Sequence, residues 1–265
     1  MEVLEGARLG FLGTGTITSA IVAGLSSKSP PCYSVCLSPR NAYVAAQLAS
    51  TFPQVSVAAS NQKMLDCSDI VFLAVRPQIA SEVLADLKFR PDHRVISLVA
   101  TFSLDKIATL VKPANKVTCA VPMPTVAEHL GPTAIFPPDP AAAMLFGRLG
   151  VAIEVTTESE FQALAATTAA MASYFALLDT LLSWLTAHGV SAATGRAYVS
   201  MMFYGLSQVA QQSDRSFVEL AGEFKTKGGL NEQLVAELAG KGVFDAYAAA
   251  LDRILARIRA NAGPL

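Results

Sequence analysis

The chain has 265 residues, enough for one large or two modest domains, and 20 basic against 21 acidic side chains leave a net charge of −1, which excludes polyanion binding as its main business. With 52% hydrophobic residues, 15% charged residues and a mean hydropathy of +0.42, it is too apolar for disorder and unusually apolar for a small soluble monomer, so another subunit or a membrane must hide the surplus. Cys32, Cys36, Cys67 and Cys119 show no CxxC spacing and only three histidines accompany them, a pattern of reduced core thiols rather than of a zinc site.

The opening MEVLEGARLGFLG lacks the basic region and long apolar run of a signal peptide, which predicts a cytoplasmic protein. From Arg8 to Val155, β-branched runs alternate with helix-like stretches, the rhythm of a doubly wound parallel sheet. Strands are predicted at 8–13, 33–38, 55–59, 69–75, 94–100, 116–121, 133–136 and 151–155. The unbroken apolar run Ile70 to Val75 suits a strand covered by helices on both faces. After Glu158 the chain turns Ala- and Leu-rich with helical spacing, broken at His188–Gly189, Ser213–Arg215 and Gly228–Gly229. A dinucleotide-binding domain over 1–157 and a helical domain over 158–265 follow.

Between Phe161 and Ser213 lie 53 residues but only two formal charges, Asp179 and Arg196. The uncharged run Phe161 to Leu178 has the length of a membrane span. Its Gln162, Thr167, Thr168, Ser173 and Tyr174, its many alanines and the absence of flanking basic clusters favour burial in an obligate homodimer or higher homo-oligomer instead.

Gly13, Thr14, Gly15, Thr16, Ile17 and Thr18 follow the first strand and open a helix. Gly13 permits the tight turn and Gly15 lets a pyrophosphate approach the helix N-terminus, although the third fingerprint position is Thr18. The second strand ends in Leu37, Ser38, Pro39 and Arg40, with no acid to hold a ribose 2′-hydroxyl. A hydroxyl and a guanidinium there suit a 2′-phosphate, which favours NADPH over NADH.

GFLGTGTITSAIVAGL (10–25), LSPR (37–40), SN (60–61), SDIVFLAVRPQ (68–78), ISLVAT (96–101), GPTAIF (131–136) and TKGGLNEQL (226–234) together resemble pyrroline-5-carboxylate reductases. The resemblance implies an N-terminal Rossmann domain, a helical domain interleaved with a partner subunit, and a role in proline biosynthesis. Hydride transfer from nicotinamide to a cyclic C=N bond would give proline. It adds Asn61, Ala74, Val75, Arg76, Pro77, Ala100 and Thr101 to the cofactor candidates. It also places the substrate carboxylate at the Gly-Gly turn, here Thr226, Lys227, Gly228, Gly229, Leu230 and Asn231, where free N–H groups at a helix start form an anion cradle.

The chain departs from the family at the substrate end. Cys119 and Met123 stand where the family carries an arginine and an asparagine, and Met202 where it carries a threonine; Ala170 to Tyr174 keep only the tyrosine of its SGPAY stretch. The polar groups lost make a more apolar wall of Met123 and Met202. A bulkier or less polar imine, a carbonyl substrate, or a non-catalytic NADP-binding protein are the alternatives. Asn231 can equally be read as a helix cap. No acid–base triad is evident, and a protonated imine needs mainly orientation and a dry pocket. His93, His129 and His188 are scattered; His129 is the one leading toward the nicotinamide side. Ser200 and Tyr204 lie one helical turn apart and could offer hydroxyls, while Arg253, Arg257 and Arg259 read as a solvated helix face.

Overall fold

A computed structural model describes residues 5–27, 33–99 and 101–261. Strands β1 (Arg8–Leu12), β2 (Ser34–Leu37), β3 (Val55–Val57), β4 (Ile70–Leu73), β5 (Arg94–Ser97), β6 (Lys116–Pro122), β7 (Pro132–Phe136) and β8 (Val151–Glu154) form one sheet in the order 3-2-1-4-5-6-7-8. Helices α1 (Thr16–Ser26), α2 (Ala42–Thr51), α3 (Asn61–Asp66), α4 (Pro77–Ala85), α5 (Leu104–Leu110) and α6 (Pro140–Gly147) connect them.

The central strands are apolar because both faces are covered: all four side chains of β4 are buried. Phe11 of β1 stacks on Phe72 of β4 at 4.4 Å, and Phe146 of α6 meets Phe72 edge-on at 6.5 Å. Side-chain caps at Asn41, Ser60, Ser103 and Asp139 start α2, α3, α5 and α6.

The strand rhythm predicts a parallel sheet throughout; the sheet departs from this at one place, where β6 and β7 pair antiparallel. The 3-10 helix Pro124–Glu128 between them is too short to cross the sheet, so the chain turns back beside itself. Helix α6 restores a crossover, and β8 runs parallel to β7.

The remaining chain is helical: α7 (Glu158–Thr167), α8 (Ala170–Ala187), α9 (Ala192–Gln212), α10 (Phe217–Glu223), α11 (Leu230–Gly240) and α12 (Val243–Asn261). By packing, the described residues up to Ala166 and Leu255–Asn261 form one compact unit and Thr167–Ile254 another. Phe161 of α7 belongs to the first, being buried with Cys119 and Ala134. Ile258 is buried while Arg253, Arg257 and Arg259 are exposed, so the basic face is solvated as its spacing predicts.

Glu158–Ala187 is by length and composition apolar enough to cross a membrane, and only 17% of its most apolar window is buried inside the chain. No residue of α8 is buried, with Phe175 65% and Trp184 59% exposed. An apolar helix as bare as α8 demands cover.

Candidate functional site

Strands β1 and β4 are neighbours, yet the chain leaves them toward opposite edges of the sheet. Loops at their C-terminal ends therefore part and leave a crevice where open α/β sheets hold ligands. Gly13 turns there with φ +105°, and a Cβ on it would lie 2.5 Å from the Ala74 carbonyl oxygen, so only glycine fits between the two loops. Gly15 is the opposite case, since a Cβ on it would meet nothing within 4 Å.

Gly15 caps α1 with no side-chain hydrogen bond, and the first turn carries no acid. The first bond along this helix runs from Ser19 N–H to the Gly15 carbonyl, leaving the N–H groups of Thr16, Ile17 and Thr18 without partners inside the helix. Those donors and the helix dipole face the open side of Gly15, a cradle that suits a pyrophosphate. Thr18, the departure from the fingerprint, is buried and its hydroxyl donates to the Gly13 carbonyl at 2.7 Å. It pins the glycine turn that a smaller residue would only permit.

Ser38 and Arg40 do not both face outward. Ser38 is 1% exposed, and its hydroxyl accepts from Gly13 N–H at 2.8 Å while its carbonyl accepts from the Thr14 hydroxyl at 3.0 Å. The serine is occupied in holding the glycine loop; Arg40 is exposed and pairs with no carboxylate among the described residues. Asn41, which the sequence reading passes over, caps α2 and donates from its side chain to the Thr14 carbonyl at 3.1 Å. Its signal was an N-cap residue at a helix start, a cue that does not reveal its second bond.

The other cofactor candidates gather at the same edge. Asn61 opens α3, Ala74 and Val75 lie between β4 and α4, Arg76 caps α4, Pro77 is its first residue, and Thr101 precedes α5. Ala100 lies outside the described residues, as does Cys32.

At the Gly-Gly turn the two glycine N–H groups are already engaged. Gly228 N–H donates to Glu232 Oε2 at 2.7 Å and Gly229 N–H to the Thr226 carbonyl at 2.8 Å. The donors without partners inside α11 are instead those of Leu230, Asn231 and Glu232, because its first bond runs from Gln233 to Gly229. Gly229, not Asn231, caps α11; the Asn231 amide donates to the Phe224 carbonyl at 2.9 Å. A carboxylate approaching this turn meets the resident Glu232. Met123 precedes the 3-10 helix and is half-buried, and Met202 sits on α9 with its side chain partly exposed.

His129 is a structural residue. Both ring nitrogens are used, Nε2 with the Ser27 hydroxyl at 2.6 Å and Nδ1 with the Arg148 carbonyl at 2.7 Å, at the C-terminal end of α1 away from the cradle. Ser200 lines a cavity with Asp179 and Arg196, whereas Tyr204 is 56% exposed. Burial pushes the Cys36 and Cys119 thiols up to about 12, which makes them inert at neutral pH. Among the described residues no cluster of side chains could hold a metal ion.

Residues 8–101 match the family model described as NADP oxidoreductase coenzyme F420-dependent, and residues 158–261 match that of pyrroline-5-carboxylate reductase dimerisation. The pyrroline-5-carboxylate reductase of Pseudomonas aeruginosa is 23% identical over 246 residues, covering 89% of each chain. That of Escherichia coli is 31% identical over 134 residues, 49% of each chain. Among solved structures, the enzyme from Streptococcus pyogenes superposes with a TM-score of 0.85 at 22% identity, covering 97% of this chain and 99% of its own. The NADP-bound pyrroline carboxylate reductase of Plasmodium falciparum gives 0.83 at 18% identity, covering 98% and 100%. With a Rossmann half that matches an NADP oxidoreductase model, a helical half that matches the pyrroline-5-carboxylate reductase dimerisation model and relatives that cover 89% or more of it, this chain is similar over most of its length to pyrroline-5-carboxylate reductases.

Proposed function

We propose that this protein reduces a cyclic imine with NADPH, and that the reaction is pyrroline-5-carboxylate to proline. The single observation that carries the cofactor half is the uncapped α1 N-terminus with open space in front of Gly15; similarity to pyrroline-5-carboxylate reductases carries the imine half. The N–H groups of Thr16, Ile17 and Thr18 would hold the pyrophosphate, with Ser38, Thr18 and Asn41 fixing the loop behind them. Arg40 at the end of β2, with no acid beside it, would pair a 2′-phosphate and set the preference for NADPH.

Nicotinamide, when held there, would supply the hydride that a cyclic C=N carbon accepts. The protein's own work is to orient the ring and exclude water, since an imine protonated on nitrogen is already electrophilic. The Leu230, Asn231 and Glu232 N–H groups are the donors for a substrate carboxylate, and Glu232 must yield part of its position as one enters. Homo-oligomerisation through the helical half would cover the apolar faces of α8 and α9.

A less polar cyclic imine is the second reading, favoured by apolar side chains at Met123, Met202 and Leu230, the last 86% exposed. The test is NADPH oxidation against cyclic imines with and without a carboxylate. Turnover of the carboxylate imine at the higher kcat/KM supports the first reading; preference for the uncharged ring supports the second, and no oxidation with any imine overturns both.

A further inference from the structure

Helices α8 and α9 carry one acid and one base on an otherwise uncharged surface, and both line the same cavity of about 340 Å3. Asp179 comes from α8 and Arg196 from α9, over a floor that includes Phe175, Leu182 and Val199. The helices pack closely here, because a Cβ on Gly195 would sit 2.9 Å from a Leu182 methyl. Despite sharing the cavity, Asp179 and Arg196 form no ion pair within 4 Å, and neither side chain has a hydrogen-bond partner among the described residues. Both are exposed in the single chain, beside Phe175, which lines the same cavity and is 65% exposed.

A second copy of this chain is the occupant that the observations favour, because residues 158–261 match the dimerisation model and the cavity wall carries Phe175, an aromatic left 65% exposed in the single chain. Covering Phe175 also covers the charges that share its cavity. An unpaired charge taken out of water is strongly unfavourable, so each must meet an opposite one. In a twofold interface residue i meets j while j meets i, and one acid with one base is the smallest set that satisfies itself. We propose that Asp179 and Arg196 form two crosswise ion pairs between copies of this chain, Asp179 of each subunit meeting the partner subunit's Arg196. The pairs set the register of an apolar interface that would otherwise tolerate sliding. The inference rests on homo-oligomerisation through the helical half, not on the imine chemistry.

Charge reversal tests it. Asp179→Arg and Arg196→Asp are made singly, then co-expressed with different affinity tags, then combined in one chain, and mass is followed by light scattering on dilution. Each single variant should dissociate at ~100-fold or more higher concentration than the parent, since it sets like charges together twice. The co-expressed pair should yield a heterodimer of near-parental stability, because both crosswise contacts become Arg to Asp. The double variant in one chain should also recover. Recovery in the double variant without recovery in the mixture means pairing within one chain and overturns the proposal. So does single reversal without loss of association, or failure of the mixture and the double variant alike. Persistence of the parent as a monomer would instead remove the oligomeric premise.

Discussion

Replacing Gly15 by Ala separates binding by the α1 N-terminus from folding. Gly15 has φ −107° and ψ −168°, extended backbone that any residue adopts, and a methyl there meets no atom within 4 Å. Losing glycine's preference at a cap costs roughly 0.5–1 kcal/mol, and the stiffer unfolded chain returns about 0.4–1 kcal/mol, so stability should change by less than about 1 kcal/mol. The methyl nevertheless stands before the free N–H groups of Thr16, Ile17 and Thr18. A hydrogen bond to a charged group contributes about 1.5–3 kcal/mol, so loss of one weakens NADPH binding by roughly 10- to 100-fold. Gly13→Ala is the converse control. Its φ of +105° and the 2.5 Å approach to the Ala74 carbonyl make any side chain strained, at a cost of about 2 kcal/mol or more and a fall in Tm of roughly 4–8 °C. Thermal melts without cofactor and fluorescence titration with NADPH give the two numbers. A Gly15→Ala variant that binds NADPH within about twofold of the parent would refute the placement of the pyrophosphate.

Arg40→Ala should remove most of the preference for NADPH over NADH, tenfold or more from a contact worth about 1.5–3 kcal/mol, measured as the ratio of the two Kd values; an unchanged ratio would place the 2′-phosphate elsewhere. Glu232→Gln removes a negative charge from the Gly-Gly turn and keeps an acceptor for Gly228 N–H, so KM for a carboxylate-bearing imine should fall several-fold while KM for an uncharged ring stays put. Equal changes for both rings would show that the carboxylate does not bind there. Burial, aided by the charge of Arg90, holds the fully buried His93 below its ordinary 6.5. The unfolded chain then binds the extra proton more readily, so the contribution to stability is complete above about pH 6.5 and is lost as pH falls toward the lowered folded value. Urea melts at about pH 7.5 and about pH 5.5 should show this loss, and His93→Phe should lessen it; an equal pH dependence in both proteins would assign the loss to other groups.

Homology and local pattern made much of the molecule legible. All eight predicted strands are present within a few residues of their expected ends, because buried β-branched runs such as Ile70 to Leu73 leave little other way to satisfy a backbone. The helix breaks at Gly189 and Gly228 were readable for the same local reason: both glycines hold positive φ, which other residues resist. The Gly13 and Gly15 turn was visible as a motif, but a motif does not say which glycine is needed for packing and which for a ligand.

Tertiary structure decided those points, since it alone sets which distant group a polar atom meets. Ser38 looked free in sequence, yet it is bonded to Gly13, 25 residues away, and only Arg40 remains outward. The Gly-Gly turn looked like two open donors, yet one faces Glu232 and the other Thr226. Asp179 and Arg196 were two scattered charges along the chain; the turn between α8 and α9 brings them to one cavity. Periodicity and steric preference act between near neighbours and can be read along the chain. The partners of hydrogen bonds and charges are chosen across the fold, where only the path of the chain determines who is within reach.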